Sequence, residues 1–208
     1  MYPFKDVITS EQQLTEIIGT PHPTAAAKPM SYLNEFCRVF IERSPFIILA
    51  SANRAGLLDV SPKGDPEGFV KLLDEHTLVV PDRLGNKRVD SFKNILTNAQ
   101  VALIFLIPGK NETLRVSGTA RIIKDQDILD SMQVNNKSPK LALAIHVEEA
   151  FFHCSKCMTR SKLWQPDLWP STKGLPSLAE TMVAALKEPP AIEDMEKGVQ
   201  WDEKNRLY

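Results

Sequence analysis

Three cysteines, Cys37, Cys154 and Cys157, are too few and odd in number for a disulfide framework, and a chain of 208 residues has no need of one. Reduced thiols are the expectation. Long hydrophobic runs are also missing. "FIILA" (46–50) and "VALIFLI" (101–107) fall far short of the roughly 20 residues of a membrane helix. The opening "MYPFKDVITS" lacks the charged-then-apolar pattern of a secretory signal, so a cytoplasmic protein is expected. Charge of one sign is absent as well. A net charge of −1 gives no global field toward nucleic acid or membrane, and any anion site must be local. There is no Gly-x-Ser-x-Gly, Walker loop, His-Glu-x-x-His or Gly-x-Gly-x-x-Gly, which removes local support for hydrolase, P-loop, metalloprotease and dinucleotide-fold readings.

What is present is a series of short apolar segments. "FIILASA" (46–52), "LLDVSP" (57–62), "HTLVVP" (76–81), "VALIFLI" (101–107), "TLRVSGTARIIK" (113–124) and "KLALAIHVEEAFFHC" (140–154) are rich in Val, Ile, Leu, Thr and Phe, as strands are. "NRAG" (53–56) and "PGKNE" (108–112) read as hairpin turns. Few segments between them are long enough for helical crossovers. The expected fold is therefore mainly β (α+β), an antiparallel six-stranded barrel with flanking helices and a helical C-terminal tail.

Helices are expected at five places before the tail. "SEQQLTEIIG" (10–19) has Ser10 as cap, Gln13 three residues on and Gly19 as stop. From Ser31, Leu33, Phe36, Cys37, Phe40 and Ile41 recur on one helical face. "RVDSFKNILTN" (88–98) places Val89, Phe92 and Leu96 on one side, and "DQDILDSMQV" (125–134) starts at an Asp125 cap. A further short helix is expected within 155–164. The division is an N-terminal helix and linker (1–29), a barrel domain (30–165) and a Pro-bearing extension (166–208), which carries a capping box at Ser177 and Glu180 and packs on the barrel or on a neighbouring subunit.

Chemistry concentrates in "PDRLGNKRVDSFKN" (81–94), where Arg83, Lys87, Arg88 and Lys93 outnumber Asp82 and Asp90. A loop leading into a helix start offers unpaired N–H groups and a positive dipole end, suited to phosphate or carboxylate. On charge alone the stretch reads more readily as a solvated connection. "DVSPKGDPEGF" (59–69) ends a strand where Gly64 and Gly68 allow close approach to a flat ligand, or form a plain turn. Arg115 and Arg121 share one strand face opposite Leu114, Val116 and Ala120, with Gly118 marking a bulge or a close backbone approach. The Cys-x-x-Cys at 154–157 lacks the further paired ligands of a zinc site, and no metal is expected. The four histidines read as packing or surface residues.

"DVSPKGDP" (59–66), "VVPDRLGNKRVDSFKNILTNAQVALIFLIPG" (79–109) and "TLRVSGTARI" (113–122) together resemble the pyridoxamine 5'-phosphate oxidase-like, FMN-binding split-barrel family. "FFHCSKCMTRSKLW" (151–164) is similar to a bacterial subgroup of it. The resemblance implies a six-stranded split barrel and a homodimer with FMN in clefts between subunits. It implies that Ser61, Pro62 and Lys63 run beside the flavin, that Val80 and Pro81 lie under the ring, and that Asn86, Lys87 and Arg88 grip the phosphate. Ser91 completes the cradle, Arg115 reaches flavin or substrate, and Arg160 and Trp164 close the cleft from the second subunit. The ending "GVQWDEKNRLY" lacks the Arg- and His-bearing signature of true pyridoxamine phosphate oxidases. The implied function is an FMN-dependent oxidoreductase acting on a small molecule. The alternatives are a flavin-sequestering protein without turnover, or a relative using a deazaflavin or haem.

Overall fold

A computed structural model describes residues 2–208. The elements run α1 (Glu11–Ile18), α2 (Pro23–Ala26), α3 (Glu35–Arg43), β1 (Phe46–Ala52), β2 (Leu58–Gly64), β3 (Lys71–Leu72), β4 (Thr77–Pro81), α4 (Asp90–Thr97), β5 (Gln100–Leu106), β6 (Thr113–Ile123), α5 (Gln126–Asp130), β7 (Ala142–His153), α6 (Lys156–Ser161), a 3-10 turn (Pro166–Leu168), α7 (Leu178–Ala185) and α8 (Ile192–Asn205).

All six expected strands form and pair antiparallel with their neighbours. A seventh, the two-residue β3, extends the sheet to the order β2-β1-β5-β6-β7-β4-β3, and no pairing joins its two ends. This is a split rather than a closed barrel. Its first hairpin is set by Asn53, whose Oδ1 accepts from the Ala55 and Leu57 amides, and by Gly56 at φ 80°, a region only glycine enters without strain.

The core follows strand alternation. Ile47 and Leu49 of β1, Leu103 and Phe105 of β5, Leu114 and Val116 of β6, and Leu143 and Ile145 of β7 point inward with Leu78 and Val80 of β4. Cys37, Phe40 and Ile41 of α3 cover one opening, and Phe92 and Ile95 of α4 another. β4 is buried on both faces, because Val79 packs outward against Leu129 and Met132 beside α5. That is why "TLVV" is continuously apolar rather than alternating.

Gly118 fulfils both halves of its expectation. The β6–β7 register shifts between Ser117 and Gly118, and a Cβ at Gly118 would meet the His146 carbonyl oxygen at 1.9 Å. Only a residue without a side chain lets β7 cross so near.

Several helical expectations need correction. The buried face of α4 is Ser91, Phe92 and Ile95, while Leu96 is 76% exposed and Val89 lies outside the helix as its cap. The helix starts two residues later than the pattern suggested, and the face packed on the sheet carries Ile95 rather than Leu96. Phe36 of α3 is exposed as well: the helix, capped by Asn34 accepting from the Cys37 amide, packs on the core through Cys37, Phe40 and Ile41. Asp125 precedes α5 without a side-chain cap bond. The expected linker contains the single turn α2, capped by His22. In the tail, the Ser177–Glu180 capping box forms as read, but a second helix, α8, follows it. Pro189 and Pro190 precede this helix, and Glu193 and Asp194 in its first turn are the signals that mark its start.

Candidate functional site

The opening in the split sheet is a cleft of about 650 Å³, with β2 on one side and residues 81–92 on the other. β4 brings Pro81 to it, and pairing of Pro81 with Ala142 carries Lys140 alongside. α4 closes its end. Ser91 Oγ donates to Asp59 Oδ2 at 2.6 Å, tying the helix to β2, and Asn94 Nδ2 donates to Ser51 Oγ at 3.1 Å, tying it to β1.

Eight of the residues singled out from the sequence line this cleft: Ser61, Pro62, Lys63, Pro81, Asn86, Lys87, Arg88 and Ser91. Four do not. Val80 is 1% exposed and belongs to the core beneath the cleft. Arg115 lies on the outer face of β6 with its guanidinium 4.9 Å from the Phe151 ring centroid. Arg160 lies in the last turn of α6, and Trp164 donates from Nε1 to the Lys110 carbonyl at 2.8 Å.

The structure adds Lys140, which carried no sequence signal. With Arg83 of the cationic stretch, it brings the cationic side chains of the cleft to five, beside Lys63, Lys87 and Arg88, against the carboxylates Asp59, Asp82 and Asp90. Among the described residues, Lys63, Lys87 and Lys140 form no ion pair, whereas Arg88 Nε donates to Asp90 Oδ2 at 2.7 Å. Burial pushes the Asp82 carboxyl up, and the charge of Lys63 partly counters it. The cleft thus has a surplus of cations with uncommitted donors.

Its backbone is strained at the same place. Lys87 and Val89 have φ of 61° and 52°, a left-handed region that a β-branched residue such as Val89 rarely occupies. Asn86 holds the bend by accepting from the Arg88 amide at 3.0 Å. Because Val89 supplies no side-chain cap, the first N–H groups of α4 lack the partner that Ser10, Asn34 and Ser177 provide for α1, α3 and α7. An uncapped helix start, three lysines without ion pairs and an Arg with spare N–H groups thus lie together, a donor set whose chemistry suits an anion.

Behind the cleft wall lies a second constellation. Arg83 Nε donates to Asp65 Oδ2 and Arg83 Nη2 to the Met132 carbonyl at 2.8 Å. The Tyr208 hydroxyl donates to the other Asp65 oxygen, and this bond holds the phenol above its ordinary titration range. Cys154 and Cys157 are exposed free thiols, and no group of three or more metal-ligating side chains occurs among the described residues. No helix among them is long and apolar enough to cross a membrane.

Solved structures of similar shape include HupZ of Group A Streptococcus (20% identity, 57% of this chain and 92% of that one, TM-score 0.46). Another is a Lactobacillus delbrueckii protein assigned as a pyridoxamine 5'-phosphate oxidase (22%, 60% and 98%, TM-score 0.48). A third is an FMN-binding protein from Syntrophomonas wolfei (11%, 56% and 88%, TM-score 0.41). No curated protein matches the chain. The pattern that defines the family called pyridoxamine 5'-phosphate oxidase does match, over residues 33–154, which spans the sheet from the start of α3 to the end of β7 and includes the whole cleft. The chain belongs to the pyridoxamine 5'-phosphate oxidase family.

Proposed function

We propose that this protein binds FMN in the cleft between β2 and residues 81–92 and works as a flavin-dependent oxidoreductase on a small molecule. The observation that carries the reading is the anion site: an uncapped, strained helix start beside Lys87 and Arg88 at the end of a cleft large enough for a cofactor. The residues present fit the group. Lys87, Arg88 and the first amides of α4 hold the phosphate, Ser91 keeps the helix against Asp59, and Ser61 to Lys63 line the flavin's edge. When bound, FMN supplies the hydride and electron transfer. The protein's part is to hold it, orient it and shape the substrate side, so a dedicated acid or base is not required of the chain.

The family's typical dimer has a counterpart in the exposed apolar residues of the edge strand. Leu58 is 79% exposed, and Leu57 and Val60 beside it are also open to solvent. We propose that a second copy covers this face and brings Arg115, Arg160 and Trp164 toward the partner's cleft. Leu58→Asp, at a position off the cleft lining, is expected to convert a dimer to a monomer in sedimentation velocity; an unchanged sedimentation coefficient would remove β2 from the interface.

The function is tested by the absorption spectrum of the purified protein and by mass identification of what it releases on denaturation. FMN is the expected result, followed by steady-state oxidation of a reduced donor. A deazaflavin or a Soret band would assign the cleft to another cofactor. FMN bound without turnover would make the protein a flavin carrier.

A further inference from the structure

The α7–α8 hairpin touches the sheet sparsely. None of the residues of α8 is buried, and the two helices pack mainly on each other. Beyond α8, however, the chain returns to a well-built slot behind the cleft wall. The Asp65 side chain there is 1% exposed, and its two oxygens are divided between Arg83 Nε and the Tyr208 hydroxyl. The Arg83 guanidinium lies 5.7 Å from the Tyr208 ring centroid, and Lys137 Nζ donates to the Tyr208 main-chain oxygen at 2.8 Å.

Arg83 is shared between two places. It lines the main cleft and also a smaller cavity of about 160 Å³ on the other side of the wall, which Asp65, Met132 and Lys71 help to enclose. Asp65 follows the strand that forms one side of the cleft, and Arg83 belongs to the loop that forms the other. The Tyr208 hydroxyl therefore completes the one side-chain junction in this slot that spans both sides. Without it, a buried carboxylate oxygen loses its donor, and the Asp65 carboxylate that anchors Arg83, and through it the loop carrying Lys87 and Arg88, is held on one side only.

We propose that Tyr208 is a clasp: its docking on Asp65 and Arg83 organises the 82–89 loop, and through it tail position and ligand affinity of the cleft are coupled. The ligand half of this statement rests on the FMN reading given above; the ordering of the loop does not. Coupling of this kind is reciprocal, so a ligand that orders the loop also holds the tail.

The test is hydrogen exchange on full-length wild type and Tyr208→Phe, each with and without added FMN, together with FMN titrations. Removing the hydroxyl alone keeps the ring and its packing. The expected result is faster exchange of amides 82–89 and of the last turn of α8 in the variant, about fivefold or more weaker FMN binding, and slower exchange of the wild-type tail when FMN is added. Arg88→Ala serves as the contrast, with FMN binding weakened and the tail still protected. Unchanged exchange of 82–89 in Tyr208→Phe, or a released tail beside an unchanged loop, would overturn the clasp. If the wild type takes up no FMN, the cofactor reading falls by itself, and the exchange of 82–89 in the absence of ligand still decides the clasp.

Discussion

Arg88→Ala is expected to raise the dissociation constant for FMN by about ten- to a hundredfold, measured by fluorescence titration at fixed ionic strength. Arg88 commits only Nε to Asp90, which leaves the rest of its fork available to a phosphate at the start of α4. Truncation does more than delete that grip. It leaves the Asp90 carboxylate without its partner in the first turn of the same helix, where it repels the incoming anion. Arg88→Lys restores charge without the paired geometry and is expected to fall between the two. Thermal stability should hardly move in any of these variants, since an exposed ion pair contributes little. An unchanged dissociation constant in Arg88→Ala would place the phosphate elsewhere.

Gly118→Ala is expected to cost about 3 kcal/mol or more, the upper end of what overpacking costs. The atom in the way is a backbone carbonyl oxygen, that of His146, and a strand cannot swing aside as a side-chain tip can. β6 and β7 form the longest ladder of the sheet, so relieving the clash means parting them at the bulge. At this chain length the melting temperature should fall by about 2–4 °C for each kcal/mol. Gly85→Ala is the control. Nothing lies within 4 Å of a Cβ there and its φ is ordinary, so its effect should stay within about 0.5 kcal/mol. Urea unfolding of the two variants side by side decides the matter, and equal stabilities would show that β7 has room to shift.

The strands were legible because each carries its own signal. Apolar alternation in "FIILASA" and "TLRVSGTARI", bounded by Asn53–Gly56 and by Pro108–Gly109, places strands and turns without reference to anything distant. Helix faces were less legible, since which apolar residues turn inward is set by the surface the helix packs on. In α4 that surface takes Phe92 and Ile95 and leaves Leu96 outside, and no propensity argues for a β-branched cap such as Val89 at φ 52°. The two-residue β3 is too short to leave a pattern; it exists because β4 offers it an edge.

The cationic loop likewise announced itself by composition, and Ser61, Lys63 and Arg88 were named from local sequence and resemblance. Lys140 and Asp65 were not, for opposite reasons. Lys140 reaches the cleft only because the β4–β7 register sets Ala142 beside Pro81. Asp65 stands in an ordinary-looking turn, and its burial depends on Arg83 and Tyr208, which lie 18 and 143 residues away.

By itself, then, the sequence determined the strand set, the hairpins, the near-neutral charge and the local excess of cations, because each of these is a property of a few adjacent residues. Only the tertiary structure decided that the sheet stays open between β2 and β3, that the opening is walled by β2 and the 81–92 loop, and that Tyr208 closes behind it. Those outcomes depend on register and long-range packing, where one residue's position is set by partners far along the chain.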